Sequence, residues 1–408
     1  MKLIRRLIRL IATSFKYRYS FRIPRQSNLV IYPDGKSAEV LLNYVNREET
    51  QILAPFGDTI NVPVLLRMLL ARKSSRFFYL LNYIKFIKPL LIITTADNDL
   101  NFYRIKSFFP HITTIAIQNG VRGNLSTHPN QGFFELLKLH SLDHRLSADF
   151  VCTFGSAVQD EYKKYISANF IACGSLRNNF FVNTAIEERP NRLAYVSGIS
   201  DYPSDPDRIF LYFQDIGITF KEFYEAEGII CALLADYCAT HNLEFVICGK
   251  RNSTNAEETA FYRNALKHSI PRISPRDEIF DSYEFLSTAR YVITLDSTLA
   301  YEFLSRKKRT GFFSARFNQL QPNSLHERAG FQFGYPQSIP KSGQFWSSVL
   351  STDEVERILE NLRDLTDNEW EQAIEPFRTS LMIYDQGNTI LKRLIESEIQ
   401  SASNVSRR

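Results

Sequence analysis

Two hydroxyls and a carboxylate stand side by side at Asp296-Ser297-Thr298, directly after the apolar run Tyr291–Leu295, and Glu302 follows a little further on. A helix opening there offers free backbone amides next to the hydroxyls, which is how a chain cradles a phosphate. Glu302 would face the same end, placed for a pair of ribose or sugar hydroxyls. Asp296 or Ser297 serves equally well as an ordinary helix cap, so the segment alone leaves both readings open. Gly249-Lys250-Arg251 follows a second apolar run, Glu244–Cys248. Its glycine lets backbone approach a ligand and its two cations suit a diphosphate, although alone it reads equally as a solvated basic loop. Gly198 and Ser200 end a third such run, where a phosphate can meet backbone.

The first half of the chain carries a different set. Asp97-Asn98-Asp99 comes after Leu90–Thr95, and Gln118-Asn119-Gly120 with Arg122 after the run at 112–118. An Asp-x-Asp after a strand can hold a divalent metal, or either Asp can cap the next helix; the preferred reading is Asp97 as a carboxylate in a cleft, a candidate general base. The amides and guanidinium of Gln118–Arg122 should then lie beside it, unless they form only a tight turn and a surface arginine. His128 and His326 fall in loops, and Phe333–Pro336 and Gly343–Trp346 are aromatic loops suited to stacking or to packing. No P-loop, no dinucleotide-binding glycine fingerprint and no Ser/His/Asp order is present.

Apart from the two histidines and the aromatic loops, each of these groups sits just past an apolar segment of four to seven residues, and such segments alternate with helical patterns throughout. That alternation predicts parallel sheets covered on both faces. Strands are expected at 28–32, 51–55, 90–95, 112–118, 149–153, 169–172, 192–197, 243–248, 290–295 and 309–313. A long helical stretch is expected over 62–87, further helices near 99–109, 132–140, 156–165, 219–240, 256–267 and 298–305, and two closing helices at 352–364 and 385–398. The fold class is α/β: two doubly wound Rossmann-like domains facing across a cleft, over 26–188 and 189–375, with a basic segment at 1–25 and a helix and tail at 376–408. In such sheets ligands sit at the carboxyl ends of the strands.

At 408 residues the chain is long enough for two cores, and 44% hydrophobic with 23% charged residues excludes a disordered or collagen-like protein. The five cysteines include no CxxC pair and the seven histidines are scattered, so buried thiols are expected and no structural metal. Lys2, Arg5, Arg6, Arg9, Lys16, Arg18, Arg22 and Arg25 outweigh the whole net charge of +5, leaving everything after residue 25 slightly acidic. That excludes a nucleic-acid groove in the body of the protein. Leu3, Ile4, Leu7, Ile8 and Ile11 recur at helical spacing opposite the basic residues, a pattern suited to lying on an anionic membrane surface or to packing on the protein itself. The run is too short and too broken by arginine to span a bilayer.

The segments Ile92–Asn98, Ile117–Gly120, Cys248–Arg251, Ile293–Glu302 and Phe313-Ser314, with the Phe-Gly-aromatic-Pro and Phe345-Trp346 loops, resemble bacterial surface-carbohydrate (O-antigen) biosynthesis proteins with a glycosyltransferase-B-like fold. The likeness runs in order over most of residues 45–375, departing at Asp99, Tyr335 and Gln344. The Asp-Ser-Thr-x-x-x-Glu segment is similar to the donor-binding segment of nucleotide-sugar glycosyltransferases and 2-epimerases. The resemblance implies a metal-independent transferase that moves a sugar from a nucleotide-activated donor, held by Gly198, Gly249, Lys250, Arg251, Asp296, Ser297, Thr298 and Glu302. The acceptor is expected to be a lipid-linked surface glycan beside Asn98, Gln118, Asn119, Gly120 and Arg122, with Asp97 as base and no cofactor beyond the substrate. The expected location is cytoplasmic, peripheral on the inner face of the plasma membrane. A CDP-alditol polyol-phosphate transferase, a nucleotide-sugar 2-epimerase and a non-catalytic assembly subunit are the alternatives.

Overall fold

The computed structural model describes residues 18–406 except 34, 54–58, 73–74, 183–185, 200–204, 267–270, 317–331 and 338. Most of the basic segment expected at 1–25, together with Ser200 and His326, lies outside the described residues. Six parallel strands make the first sheet, in the order Thr50–Ile52, Leu29–Tyr32, Leu91–Thr94, Thr113–Ile117, Leu146–Thr153, Ile166–Ala172. Leu29–Tyr32 and Leu91–Thr94 are buried along their whole length because both faces are covered. Side chains alternate between the faces: Val30 and Ile92 pack under the helices Arg76–Ile87, Phe102–Phe108 and Phe133–Asp143, while Leu29, Ile31, Leu91 and Ile93 face the other way. That second face is closed by Leu391 and Ile395 of the last helix, Thr389–Ser406, so the chain's final helix belongs to the core of its first sheet.

The second sheet is again parallel, in the order Arg272–Ser274, Glu244–Cys248, Arg189–Val196, Ala289–Thr294, Arg309–Phe313, Trp346–Ser347. Numbered along the chain, its strands run 3-2-1-4-5-6, the doubly wound order whose connections part company between the first and fourth strands. In the first sheet the order is 2-1-3-4-5-6, and the parting lies between Leu29–Tyr32 and Leu91–Thr94. Leu125–Ser126 of the first half pairs antiparallel with Ile209–Phe213 of the second, which pairs in turn with Ile216–Thr219, stitching the halves together.

Several elements differ from expectation, each for a local reason. The stretch 62–87 is two helices, Val62–Leu70 and Arg76–Ile87, because Arg72 turns left-handed (φ 53°) and Ser75 caps the second by accepting the Phe78 N–H. The 209–219 hairpin carries no turn signal in the sequence, because its two-residue turn, Gln214-Asp215, uses Gln at positive φ where Asn or Gly would be the usual sign. Arg272–Ser274 is a three-residue polar strand, and Asp367–Ser380 is a polar helix interrupted by Pro376, so neither shows a clear apolar period. All five cysteines are buried and free, and burial pushes the Cys248 thiol up to about 12.

Candidate functional site

The parting of the second sheet opens into a cavity of about 490 Å³. Two strand ends form its floor: Val196-Ser197-Gly198 after the first strand and Asp296-Ser297-Thr298 after the fourth. Asp296 and Glu227, from the long helix Phe220–Thr240, grip Arg316 between them. Arg316 Nε donates to Asp296 at 2.6 Å, Nη2 donates to Asp296 at 2.8 Å and to Glu227 at 3.0 Å, and Nη1 donates to the Phe223 carbonyl at 3.1 Å. Burial works against this guanidinium, but Asp296 and Glu227 outweigh it and raise its pKa. Gly198 is required here by close approach: a Cβ would overlap the Glu227 carboxylate and press on Arg316 at 3.0 Å.

Glu258 organises the neighbouring loop. Its buried carboxylate accepts the Lys250 amide at 3.0 Å, the Arg251 amide at 3.1 Å and the Ser197 hydroxyl, while the Gly249 amide donates to the Ser274 carbonyl at 2.9 Å. The loop's backbone donors are therefore consumed internally. What it offers the cavity is the Lys250 side chain, whose Nζ lies 3.2 Å from the Gly198 carbonyl. Partial burial lowers the pKa of this ammonium, against the pull of Glu227 and Asp296. Arg251 is not on the cavity wall, so the expected pair of cations from this loop reduces to Lys250.

At the helix start, Thr294 Oγ1 accepts the Ser297 amide at 3.0 Å and Ser297 Oγ accepts the Leu299 amide at 3.3 Å. Ser297 is thus an N-cap of the helix Thr298–Ser305 as well as a cavity residue. Thr298 Oγ1 accepts the Val121 amide at 3.1 Å, which docks the loop of the first domain onto the helix start. Glu302 lines the cavity with both oxygens already engaged, by Ser175 Oγ at 2.5 Å and Tyr283 OH at 2.6 Å. Burial and the Glu302 charge push the Tyr283 phenol well above its ordinary value, so it stays protonated and donating.

Two further cations complete the wall, and sequence reasoning missed both. Arg177 comes from the short helix Leu176–Phe180 of the first domain and Arg276 from the loop after Arg272–Ser274. Neither guanidinium forms a hydrogen bond or ion pair with another described residue. The carboxylates at this edge thus have their oxygens filled, while guanidinium and ammonium donors remain for an anion. Among the described residues no three His, Cys, Asp or Glu side chains cluster as a metal site would need.

On the first domain's side the expected base does not face a cleft. Asp97 has no exposure; it accepts the Asn119 amide at 3.1 Å and the Tyr162 hydroxyl at 2.7 Å and pairs with Arg122. Its acceptor capacity is spent on holding the Gln118–Arg122 loop, which is a structural task, and it does not reach the cavity. Nor does it cap the following helix, whose first residue is Phe102. Asn98 is exposed and off the cavity wall; Gln118 is buried, joining the Phe154 amide to the Gly120 carbonyl. Gln118 and Arg122 line a separate small cavity with Tyr335 and Pro336, leaving Asn119 and Arg177 as the first domain's contribution to the large one.

The fold is shared with solved structures of low sequence identity. The structure of a "putative UDP-N-acetylglucosamine 2-epimerase from Listeria monocytogenes" is 11% identical with a TM-score of 0.50, covering 92% of this chain and 96% of that one. The S. aureus MnaA–UDP structure is 13% identical with a TM-score of 0.50, covering 93% and 97%. The wall teichoic acid polymerase TagF is 12% identical with a TM-score of 0.49, covering 92% and 89%. The likeness to the two structures with a TM-score of 0.50 is one of architecture, two Rossmann-like domains in the glycosyltransferase-B arrangement. None of the curated proteins matches the sequence. A family described as "putative O-antigen biosynthesis protein" matches residues 115–399, most of the chain and both walls of the cavity, and the chain belongs to that family.

Proposed function

We propose that this protein is a glycosyltransferase that moves a sugar from a nucleotide diphosphate donor to a lipid-linked surface glycan such as O-antigen. The observation that carries the reading is the set of cations at the parting of the second sheet: Lys250, Arg276 and Arg177 converge on one cavity whose carboxylates are already filled. A nucleoside diphosphate supplies the anionic oxygens that these donors lack. In the reaction the acceptor hydroxyl oxygen bonds to the anomeric carbon and gives up its proton to solvent, while the bond from that carbon to the diphosphate breaks and its electron pair collects as negative charge on the leaving oxygen. Fixed cations beside that oxygen stabilise the charge as it develops. Gly198 and the Ser297/Thr298 helix start line the same wall.

The test is thermal unfolding of the purified protein with UDP, GDP, CDP and CMP, with and without EDTA. A ligand at a hundred times its dissociation constant stabilises by about 2.7 kcal/mol, so a clear rise in melting temperature is expected with one nucleotide diphosphate. The rise should vanish in Lys250→Ala/Arg276→Ala. No shift with any nucleotide would sink the donor site and leave a non-catalytic assembly role.

A further inference from the structure

Three leucines on one short helix face outward: Leu66, Leu69 and Leu70 are 55, 52 and 86% exposed. The helix is Val62–Leu70, in which Arg67 is the one charged residue. Its inner side, Val64 and Met68, packs on Tyr79 in a small cluster apart from the cores of both sheets. A helix apolar on both sides normally has both sides covered.

The segment that enters the fold at residue 18 is joined to this helix. Arg18–Ser20 pairs in parallel with Thr59–Asn61, and Asn61 both caps the helix, accepting the Val64 amide at 3.2 Å, and donates to the Arg22 carbonyl at 2.9 Å. That segment too bears exposed apolar side chains, Phe21 at 75% and Ile23 at 69%. The charge around both is of one sign. Arg18, Arg22, Arg67 and Arg72 are exposed, and neither 18–33 nor 59–76 contains an Asp or Glu. Residues 1–17, which lead directly into Arg18, add Lys2, Arg5, Arg6, Arg9 and Lys16 without an acid.

We propose that the unit formed by Arg18–Ile23 and the helix Val62–Leu70 is the docking face for an anionic lipid bilayer surface. Among the described residues no helix is long and apolar enough to cross a membrane. Attachment is therefore interfacial: the leucines, Phe21 and Ile23 enter the acyl boundary while the arginines meet lipid phosphates. A protein partner would also cover apolar side chains, but two acid-free segments that interleave exposed arginines with exposed apolar side chains match a lipid headgroup layer best.

The test is co-sedimentation of the full-length protein, without nucleotide, with phosphatidylcholine vesicles and with vesicles also containing phosphatidylglycerol. Wild type should bind the anionic vesicles and be released as salt shortens the reach of the charges. Leu66→Ser/Leu69→Ser/Leu70→Ser should bind at least about ten-fold more weakly, through lost apolar burial, with an unchanged melting temperature. Arg67→Gln/Arg72→Gln should weaken binding only to the anionic vesicles. Wild-type sedimentation of the leucine variant would overturn the proposal, leaving residues 1–17 as the whole anchor. A lowered melting temperature with unchanged vesicle binding would overturn it too, placing the leucines under the protein's own chain or a second copy. With no nucleotide present, failure here leaves the donor site standing, and failure of the donor site leaves this face standing.

Discussion

At the carboxyl edge of the first sheet, Arg122 meets Asp97, and Tyr162 and the Asn119 amide fill the rest of that carboxylate. At the same edge of the second sheet, Arg316 meets Asp296 and Glu227 in much the same way, but Lys250 and Arg276, joined by Arg177 from the first domain, stand beside it facing a cavity. Both edges bury an arginine–carboxylate pair, and burial of such a pair says little about function. The informative difference is the surplus: donors and acceptors match around Asp97, whereas donor capacity is left over around the second sheet's cavity. Spare donor capacity held beside open space is what makes that cavity the candidate ligand site.

The sharpest way to break this contrast is Asp97→Ala. It strands Arg122, whose charged form is strongly favoured by Asp97 despite burial, and should cost about 3–5 kcal/mol in denaturant unfolding. Asp97→Ala/Arg122→Ala should recover part of that loss; an additive double variant would show that the two do not act as a pair. At the other edge Arg276→Ala or Arg177→Ala should leave unfolding within about 0.5 kcal/mol of wild type. Each should weaken nucleotide diphosphate binding about ten- to a hundred-fold, the worth of a charge-assisted hydrogen bond. If either variant unfolds easily while keeping its affinity, the roles of the two edges are reversed. A smaller effect comes from pH. Lys250 binds as the cation and its pKa is lowered by burial, so affinity should decline as pH rises at values below the 10.5 of an ordinary lysine. Titration calorimetry across that range should find the decline absent in Lys250→Arg.

The strands were legible because buried parallel strands are unbroken apolar runs, and the ends of those runs pointed to Gly198, Lys250, Asp296 and Ser297. Arg177, Arg276 and Arg316, which line the cavity, and Glu227, which holds Arg316 from behind, were not legible, since each comes from an element without a signature of its own. Arg276 follows a three-residue polar strand, and Glu227 sits inside a helix whose pattern shows only packing. Glu258 is the instructive case. It is the acid that decides how the Gly249–Arg251 loop spends its amides, and nothing in its helical surroundings sets it apart from Glu257. Asp97 shows the reverse: a carboxylate just past a strand is in the right place for catalysis, and only its partners reveal that its oxygens are already engaged.

The last helix, through Leu391 and Ile395, completes the core that Leu29, Ile31, Leu91 and Ile93 begin. During synthesis those strands leave the ribosome long before their cover exists, a gap on the order of tens of seconds at ordinary elongation rates. That face of the first sheet must therefore wait, only partly covered, until the helix Thr389–Ser406 has been made. A chain cut short just before Thr389 would lose little of the second sheet yet leave that face of the first covered only by Ala38, Val40, Leu41, Leu176 and the side chains around them. Quality control of the product thus falls on this helix: the first domain's core stays incomplete in any molecule that lacks it.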